Sequence, residues 1–255
     1  MNNDDWLEWR RKGIGSSDAP VIMGVSPWTT PHKLWLDKTG RNREDISNWA
    51  TRRGTSMEPI ARAHYELLTD SDMPARCFVH HQAPWLRASL DGFNGQVVLE
   101  IKCPGKPDHA LAMDGKIPDK YFPQVQHQLL VSGAEYADYF SFDGESGVIV
   151  RVDHDDDFQR RYLERAYEFW HLVETDTPPP LVDRDWKLIR SKPFTHLLKV
   201  WEASGRGEFA TREIMKWAEC GRIRNGPYYI DPFSKTITKV EGAAKPIVRR
   251  RKTSQ

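Results

Sequence analysis

Cysteine, long apolar runs and an excess of charge are scarce in this chain. Its 255 residues include three cysteines, Cys77, Cys103 and Cys220, at unrelated spacings. Such spacings make no disulfide framework, and an iron–sulfur cluster takes four cysteine ligands. The sequence therefore excludes a cluster held by its own cysteines and indicates a reduced, cytoplasmic setting.

Signals for membranes and for secretion are also missing. No apolar run approaches the roughly 18 residues that a membrane-spanning helix needs, and the opening Met-Asn-Asn-Asp-Asp-Trp does not have the pattern of a signal peptide. We therefore expect no membrane partner. The net charge is only +1, so any surface that binds nucleic acid must be local.

The chain does have the composition of a folded protein, with 39% hydrophobic residues and ten tryptophans. Periodicity, caps and turn residues predict alternating helices and strands. The predicted helices cover 4–11, 31–38, 46–68, 107–113, 124–132 and 155–173, and the predicted strands cover 75–81, 97–101, 136–142 and 147–152. This order predicts an α/β fold with a central mixed β-sheet flanked by helices.

A run of three prolines, Pro178 to Pro180, marks a change of composition. We predict one domain over 1–180 and a small C-terminal appendage over 181–255, with helical segments and a hairpin. The tail over 245–252 carries five basic residues. Such a tail either contacts nucleic-acid phosphates or stays solvated, and the sequence leaves both interpretations open.

Three charged residues lie on a predicted hydrophobic hairpin, at Asp91, Glu100 and Lys102. If Gly95-Gln96 is a two-residue turn, counting back pairs Asp91 with Glu100 and Ser89 with Lys102. Side chains directly opposite one another lie within about 5.5 Å at Cβ. The two carboxylates would then face each other, with an ammonium group one pair further along.

Two facing carboxylates destabilise a sheet unless something neutralises them. A hard divalent cation such as Mg²⁺ or Mn²⁺ would do so, because it prefers carboxylate and carbonyl oxygens. The alternative is a solvated strand face on which Lys102 neutralises Glu100. The hairpin alone does not decide between them.

Gly13 to Asp18 precedes an apolar run and follows Arg10, Arg11 and Lys12. Small hydroxyl residues at a helix start, with basic residues beside them, suit a bound phosphate. The commoner explanation is that Ser16, Ser17 or Asp18 simply caps the helix.

Other polar residues on predicted helices also have two interpretations. Glu58 stands beside Pro59, where we predict a kink or a restart of the helix. Gln124, His127 and Gln128 share one helix face by their spacing. That face would position water or phosphate, or it is a solvated surface.

The order of these motifs resembles a known nuclease family. Asp91 followed by Glu100-Ile101-Lys102 is similar to the PD-(D/E)xK signature, although Leu90 stands where that signature has proline. The flanking motifs are similar to the YqaJ-type branch, which includes the phage lambda exonuclease. They are Trp6-x-x-x-Arg10, Gly13-Ile14-Gly15-Ser16-Ser17-Asp18, Ser26-Pro27-Trp28, Leu34-Trp35, Lys38-Thr39-Gly40, Gly54-x-x-Met57-Glu58, Leu99 to Pro104 and Gln124-Val125-Gln126.

The resemblance implies a metal site. Asp91 and Glu100 would hold Mg²⁺, for which Mn²⁺ could substitute, together with the Ile101 carbonyl. Glu58 would complete the acidic cluster, directly or through water.

The resemblance also implies roles for four other residues. Lys102 would orient or activate the attacking water and stabilise charge on phosphorus, and Gln124 would position the nucleophile or the lysine. Arg10 and Ser17 would bind a terminal 5′ phosphate.

The implied fold is a PD-(D/E)xK restriction-endonuclease-like core, and the implied activity is that of a Mg²⁺-dependent 5′-to-3′ exonuclease. It would act on ends of double-stranded DNA and leave 3′ overhangs for a single-strand annealing protein during phage recombination. A homo-oligomer, a trimeric ring, is implied by resemblance only. Two alternatives stay open: an endonuclease of the same fold, or a catalytically silent protein that binds DNA ends or a partner.

Overall fold

The computed structural model describes residues 3–41, 49–185, 194–203, 205, 211, 214–215, 223–225, 228–231 and 236–239. The predictions for 42–48, for 186–193, for most of 211–220 and for the basic tail lie outside the described residues. The chain divides into two compact units, Met1–Pro179 and Pro180–Gln255. Across the described ranges, none of the helices is both long enough and apolar enough to span a bilayer.

Two helices of the first unit begin at residues whose side chains cap them. Thr30 accepts a hydrogen bond from the Lys33 amide at 3.2 Å, and Asp155 accepts one from the Phe158 amide at 2.8 Å. Pro59 lies inside a helix that continues past it, so the predicted restart is wrong. The helices are α1 (Asn3–Arg11), α2 (Ala19–Ile22), α3 (Pro31–Lys38), α4 (Trp49–Thr69), α5 (Lys106–Met113), α6 (Phe122–Ser132) and α7 (Asp156–Glu174), with a 3₁₀ turn over Ser16–Asp18.

The strands of the first unit form two mixed sheets. They are β1 (Ile14–Gly15), β2 (Arg76–Val79), β3 (Leu86–Leu90), β4 (Gly92–Phe93), β5 (Val97–Lys102), β6 (Tyr136–Phe142) and β7 (Gly147–Asp153). One sheet has the order β1-β3-β2 and the other the order β4-β5-β6-β7. In the second sheet β5 and β6 run parallel, while β4 and β7 are antiparallel to their neighbours. The predicted α/β class, with mixed sheets flanked by helices, is confirmed.

Strand β5 is covered on both faces. Val98 belongs to the core that includes Leu129 of α6, whereas Leu99 and Ile101 pack with Tyr65 of α4. Because side chains alternate along a strand, Glu100 and Lys102 share the face of Val98. The predicted assignment of the two faces is therefore confirmed, with α4 on one side and α6 on the other.

The hairpin register is only partly as predicted. Phe93 pairs with Val98, as counting from the turn requires, but β3 leaves this sheet and places Ser89 opposite Cys77 instead of Lys102. The chain changes sheets at Asp91, and the next residue, Gly92, packs so closely that a Cβ there would lie 2.8 Å from that of Met73. Asp91 therefore does not pair with Glu100 across a regular ladder.

The second unit contains one described helix, α8 (Phe194–Ala203), and a small antiparallel sheet. Trp201 of α8 is buried and donates from Nε1 to Thr211 Oγ1 at 2.9 Å. The sheet has the order β10-β9-β8, from Ile223–Asn225 (β8), Tyr228–Asp231 (β9) and Thr236–Lys239 (β10). The predicted hairpin is β9–β10, and β8 extends it.

Candidate active site

Glu100 is the most enclosed charged group of the first unit's second sheet, with 1% of its side chain exposed. Three side chains donate hydrogen bonds to its carboxylate: Lys102 and Gln124 to Oε1, and Gln128 to Oε2. A buried carboxylate is stable only when charge or donors compensate it. Strand β5 and helix α6 together supply that compensation.

Asp91 is held at the edge of β5, where its carboxylate accepts a hydrogen bond from the Ile101 amide at 2.8 Å. Burial, then the charge of Glu100, raises the pKa of Asp91 to about 8; Glu58 adds to the rise and Lys102 opposes it. Without a cation, the site therefore favours the protonated form of Asp91 at neutral pH.

Lys102 is a stable cation in this arrangement. Burial acts to lower its pKa, but the charges of Glu100 and Asp91 outweigh burial and raise the pKa above its ordinary value. Its ammonium group is bonded to Glu100. A lysine in this state donates hydrogen bonds and positive charge, and it has no lone pair with which to accept a proton.

Glu58 approaches the cluster from α4, which packs against β5. Its carboxylate forms an ion pair with Arg62 at 2.7 Å, one helical turn further along. Its charge contributes to the raised pKa of Asp91, so the two carboxylates interact electrostatically. Helix α4 thus brings Glu58 to the side of β5, where its carboxylate is engaged by Arg62.

The donor set around β5 fits a hard divalent cation. Asp91 and Glu100 supply carboxylates that repel each other, and the Ile101 amide points to the edge where Asp91 lies. The N–H and C=O of one residue in a strand point to the same edge, so the Ile101 carbonyl faces it too. Within the described parts of the chain, no three His, Cys, Asp or Glu side chains are grouped closely enough to hold one metal ion. The fit therefore rests on two carboxylates and a carbonyl.

The interpretation of the amide-rich face of helix α6 as a solvated surface is wrong. Gln126, His127 and Gln128 are completely buried, so they form no solvated face. Gln124 and Gln128 bind Glu100, while His127 lies between the Tyr162 hydroxyl and the Arg87 carbonyl. Sequence reasoning missed the contact of Gln128 with Glu100. Its spacing of four residues from Gln124 was the available signal.

A second charged cluster forms around the 3₁₀ turn. Arg10 donates from Nη2 to Ser17 Oγ at 2.7 Å, so the two residues predicted to bind phosphate are in contact. Asp18 lies beneath them and pairs with Lys38 at 2.5 Å, both side chains being less than a tenth exposed. Asp18 also accepts from the Gly15 amide at 2.8 Å. Asp18 therefore caps the turn, and Ser17 remains exposed.

The pKa of Asp18 is shifted in the opposite direction from that of Asp91. Burial acts to raise its pKa, but Lys38 and then Arg10 outweigh burial and hold the pKa below its ordinary value. Helix α6 packs against both the 3₁₀ turn and β5. One helix thus connects the cluster around Asp18 with the cluster around Glu100.

In this α/β fold Asp91 lies beside Glu100, Ile101 and Lys102 of β5, so the residues that resemble the PD-(D/E)xK signature come together at one site. Residues 5–135, more than half of the chain, match the family of YqaJ-like viral recombinase domains. The chain belongs to that family.

Known relatives agree with this assignment. The chain is 32% identical over 191 residues to the uncharacterized protein YqaJ of Bacillus subtilis (strain 168). The alignment covers 72% of this chain and 60% of YqaJ, so the chain spans about 60% of the length of that curated relative.

Among solved structures, the chain is similar to the alkaline exonuclease LHK-Exo from Laribacter hongkongensis. The TM-score is 0.60 at 24% identity, over 68% of this chain and 94% of that chain. The same values hold for LHK-Exo in complex with dAMP. At this identity the similarity establishes a shared fold.

Proposed function

We propose that this protein is a Mg²⁺-dependent exonuclease that degrades one strand of linear double-stranded DNA from its 5′ end. The main supporting observation is the pair of acids Asp91 and Glu100: burial, and then repulsion from Glu100, raises the pKa of Asp91 to about 8. A cation between them would remove that repulsion. The fold shared with an alkaline exonuclease supports the same activity.

The reaction would be hydrolysis of a phosphodiester bond: water attacks phosphorus, the P–O bond opposite it breaks, and the leaving oxygen takes up a proton. Asp91, Glu100 and the Ile101 carbonyl would hold the metal, which supplies stabilisation of charge on the phosphate oxygens. Glu58, engaged by Arg62, would contribute through water.

Lys102 would stabilise negative charge with its ammonium group and would not act as a general base. Its raised pKa keeps it protonated, so its ammonium group can bind a non-bridging phosphate oxygen and stabilise the charge that develops there. Gln124 donates to the same Glu100 oxygen as Lys102. We propose that it holds Glu100, and through it the lysine, in position for the attack.

Specificity for 5′ ends would come from Arg10 and Ser17. Their side chains are in contact at 2.7 Å, and Ser17 is exposed. The neighbouring Ser16 hydroxyl is buried and, in the described part of the chain, has no hydrogen-bond partner. These groups offer the guanidinium and hydroxyl donors that a terminal phosphate requires.

Membership of the family of YqaJ-like viral recombinase domains supports a role in recombination. We propose that residues 1–180 form the nuclease domain and that the 3′ overhangs it leaves serve a single-strand annealing protein in phage recombination. A homo-oligomer, with a trimeric ring as the expected form, would suit continued digestion of one strand. The enzyme would act in the cytoplasm of the bacterial host.

The test is digestion of end-labelled linear duplexes that carry either a 5′ phosphate or a 5′ hydroxyl, with Mg²⁺ or with EDTA. We expect metal-dependent release of nucleotides, faster from phosphorylated ends and lost in Lys102→Ala. Equal cutting of circular and linear DNA would instead indicate an endonuclease. End binding without any release of nucleotides would indicate a catalytically silent protein.

A further inference from the structure

Trp28 is exposed although tryptophan is usually buried, with 59% of its side chain accessible. It lies in the turn between α2 and α3, where the buried Ser26 hydroxyl accepts hydrogen bonds from the Trp28 and Thr29 amides at 3.3 and 3.2 Å. The backbone therefore holds this large aromatic side chain at a defined place on the surface.

Trp28 is the outer member of a column of aromatic rings. Its ring stacks on Tyr121 with centroids 6.0 Å apart and an interplanar angle of 29°. Tyr121 in turn stacks on the buried Tyr139 at 5.9 Å and 28°. One side of the Trp28 ring is thus supported from the core, and its exposure indicates that the rest is accessible.

The column stands beside the candidate active site. The Lys102 ammonium lies 5.4 Å from the centre of the Tyr121 ring, so one aromatic ring separates Trp28 from the proposed charge-donating lysine. A second ammonium, that of Lys120, lies 5.2 Å from the Tyr121 ring and 5.5 Å from the Trp28 ring. Asp108 fixes Lys120 through an ion pair at 2.6 Å.

We propose that Trp28 stacks on a nucleobase of the strand being cut, among the first few nucleotides at its 5′ end. An exposed aromatic face beside ammonium groups is the combination that binds single-stranded nucleic acid, since the ring takes the base and the cations take the phosphates. Every base offers a π face, so such a contact tolerates any sequence. A nuclease that digests a strand completely requires this tolerance.

This inference rests on the proposed function and assigns Trp28 to holding the substrate strand. It predicts a contact that depends on a base at one position of the DNA. Removing the ring should weaken binding roughly five- to a hundredfold, and a phenyl ring should restore part of the loss.

The experiment has two measurements. Fluorescence anisotropy measures binding of 5′-phosphorylated duplexes in EDTA, where the DNA stays intact. Digestion in Mg²⁺ then gives KM and kcat. Wild type, Trp28→Ala, Trp28→Phe and the control Tyr167→Ala are compared; Tyr167 is 64% exposed on α7. Each is tested on DNA with an abasic site at one of the first four nucleotides. We expect Trp28→Ala to raise KM with little change in kcat, and one abasic position to abolish the difference from wild type.

Two results would overturn the inference while leaving the nuclease proposal intact. One is active wild-type enzyme with equal binding and KM for Trp28→Ala. The other is a loss of affinity in Trp28→Ala that no abasic position removes; a lower oligomeric mass in that variant would then assign Trp28 to a protein interface. A wild-type protein that neither binds nor digests DNA ends would overturn both proposals together.

Discussion

Two aspartates of the first unit, Asp18 and Asp91, differ in what surrounds them. Asp18 lies against Lys38 and Arg10, and its pKa is held below the ordinary value. Asp91 lies near Glu100 and Glu58, and its pKa rises to about 8. Burial penalises the charged form of both carboxylates. The neighbouring charges decide the sign of the shift.

From this difference we propose that the Asp18 site is structural and that the Asp91 site is the reactive one. The Asp18–Lys38 pair is complete within the protein and fixes the turn that carries Ser17. The Asp91–Glu100 pair has one nearby lysine for two carboxylates, so ionisation of Asp91 leaves negative charge that a divalent cation would neutralise. Perturbed groups of this kind concentrate at functional sites. The predictions below test this contrast.

The largest effect should come from Glu100, which three donors hold at the edge of the site. We expect Glu100→Gln to reduce nuclease activity about a thousandfold, because it removes a metal-binding charge. Initial rates on linear duplex DNA measure this, with circular dichroism to check folding. Glu135→Gln, at an exposed glutamate, is the control and should retain full activity. If Glu100→Gln were as active as wild type, Glu100 would not be a metal ligand.

At the structural site, Lys38→Met should lower the free energy of unfolding by about 3 kcal/mol, because it leaves the Asp18 carboxylate buried without its main partner. The fold lowers the pKa of Asp18, so its ionised carboxylate contributes to the free energy of unfolding above the ordinary pKa of 3.8. This contribution is lost as the protein is acidified. Urea titrations at neutral pH measure the loss. Asp18→Asn combined with Lys38→Met should recover part of it, and a double variant no more stable than Lys38→Met would contradict the ion-pair explanation.

At the reactive site, Asp91→Asn should have the opposite effect and stabilise the metal-free protein by about 2 kcal/mol at pH 8.5. The folded chain binds a proton at Asp91 that the unfolded chain releases between pH 3.8 and about 8, so the unfolding free energy in EDTA should fall as pH rises through this window. Mg²⁺ should reverse that fall in wild type only. Thermal unfolding at pH 5 and pH 8.5, with Mg²⁺ and with EDTA, checks both. Equal Mg²⁺ effects in the two proteins would argue against Asp91 as a ligand.

The smallest effect is expected at Arg10, in the proposed binding site for the 5′ phosphate. Arg10→Ala should reduce digestion of 5′-phosphorylated ends about tenfold and leave 5′-hydroxyl ends unchanged, because one charge-assisted contact is lost. Arg11→Ala is the matched control, since Arg11 is exposed on the same helix. Equal loss on both kinds of end would indicate that Arg10 supports the fold through its position above Trp6.

Much of the candidate site could be predicted from local pattern. The alternation of β5 correctly placed Glu100 and Lys102 on one face, and the resemblance to YqaJ-type nucleases selected Arg10 and Ser17, two residues that are in contact. The register between Asp91 and Glu100 could not be predicted, because the chain changes sheets at Asp91. That change depends on β3 pairing with β1, which is distant in sequence, as well as with the neighbouring β2.

The sequence by itself determined the α/β class, the family motifs and the faces of β5, because these depend on periodicity and short spacings. Only the tertiary structure decided that Gln128 binds Glu100 and that Trp28 stacks on Tyr121 beside Lys102. It also decided that Asp18 and Asp91 have opposite pKa shifts. The physical reason is that electrostatic and stacking energies depend on distances between segments, which no local pattern specifies.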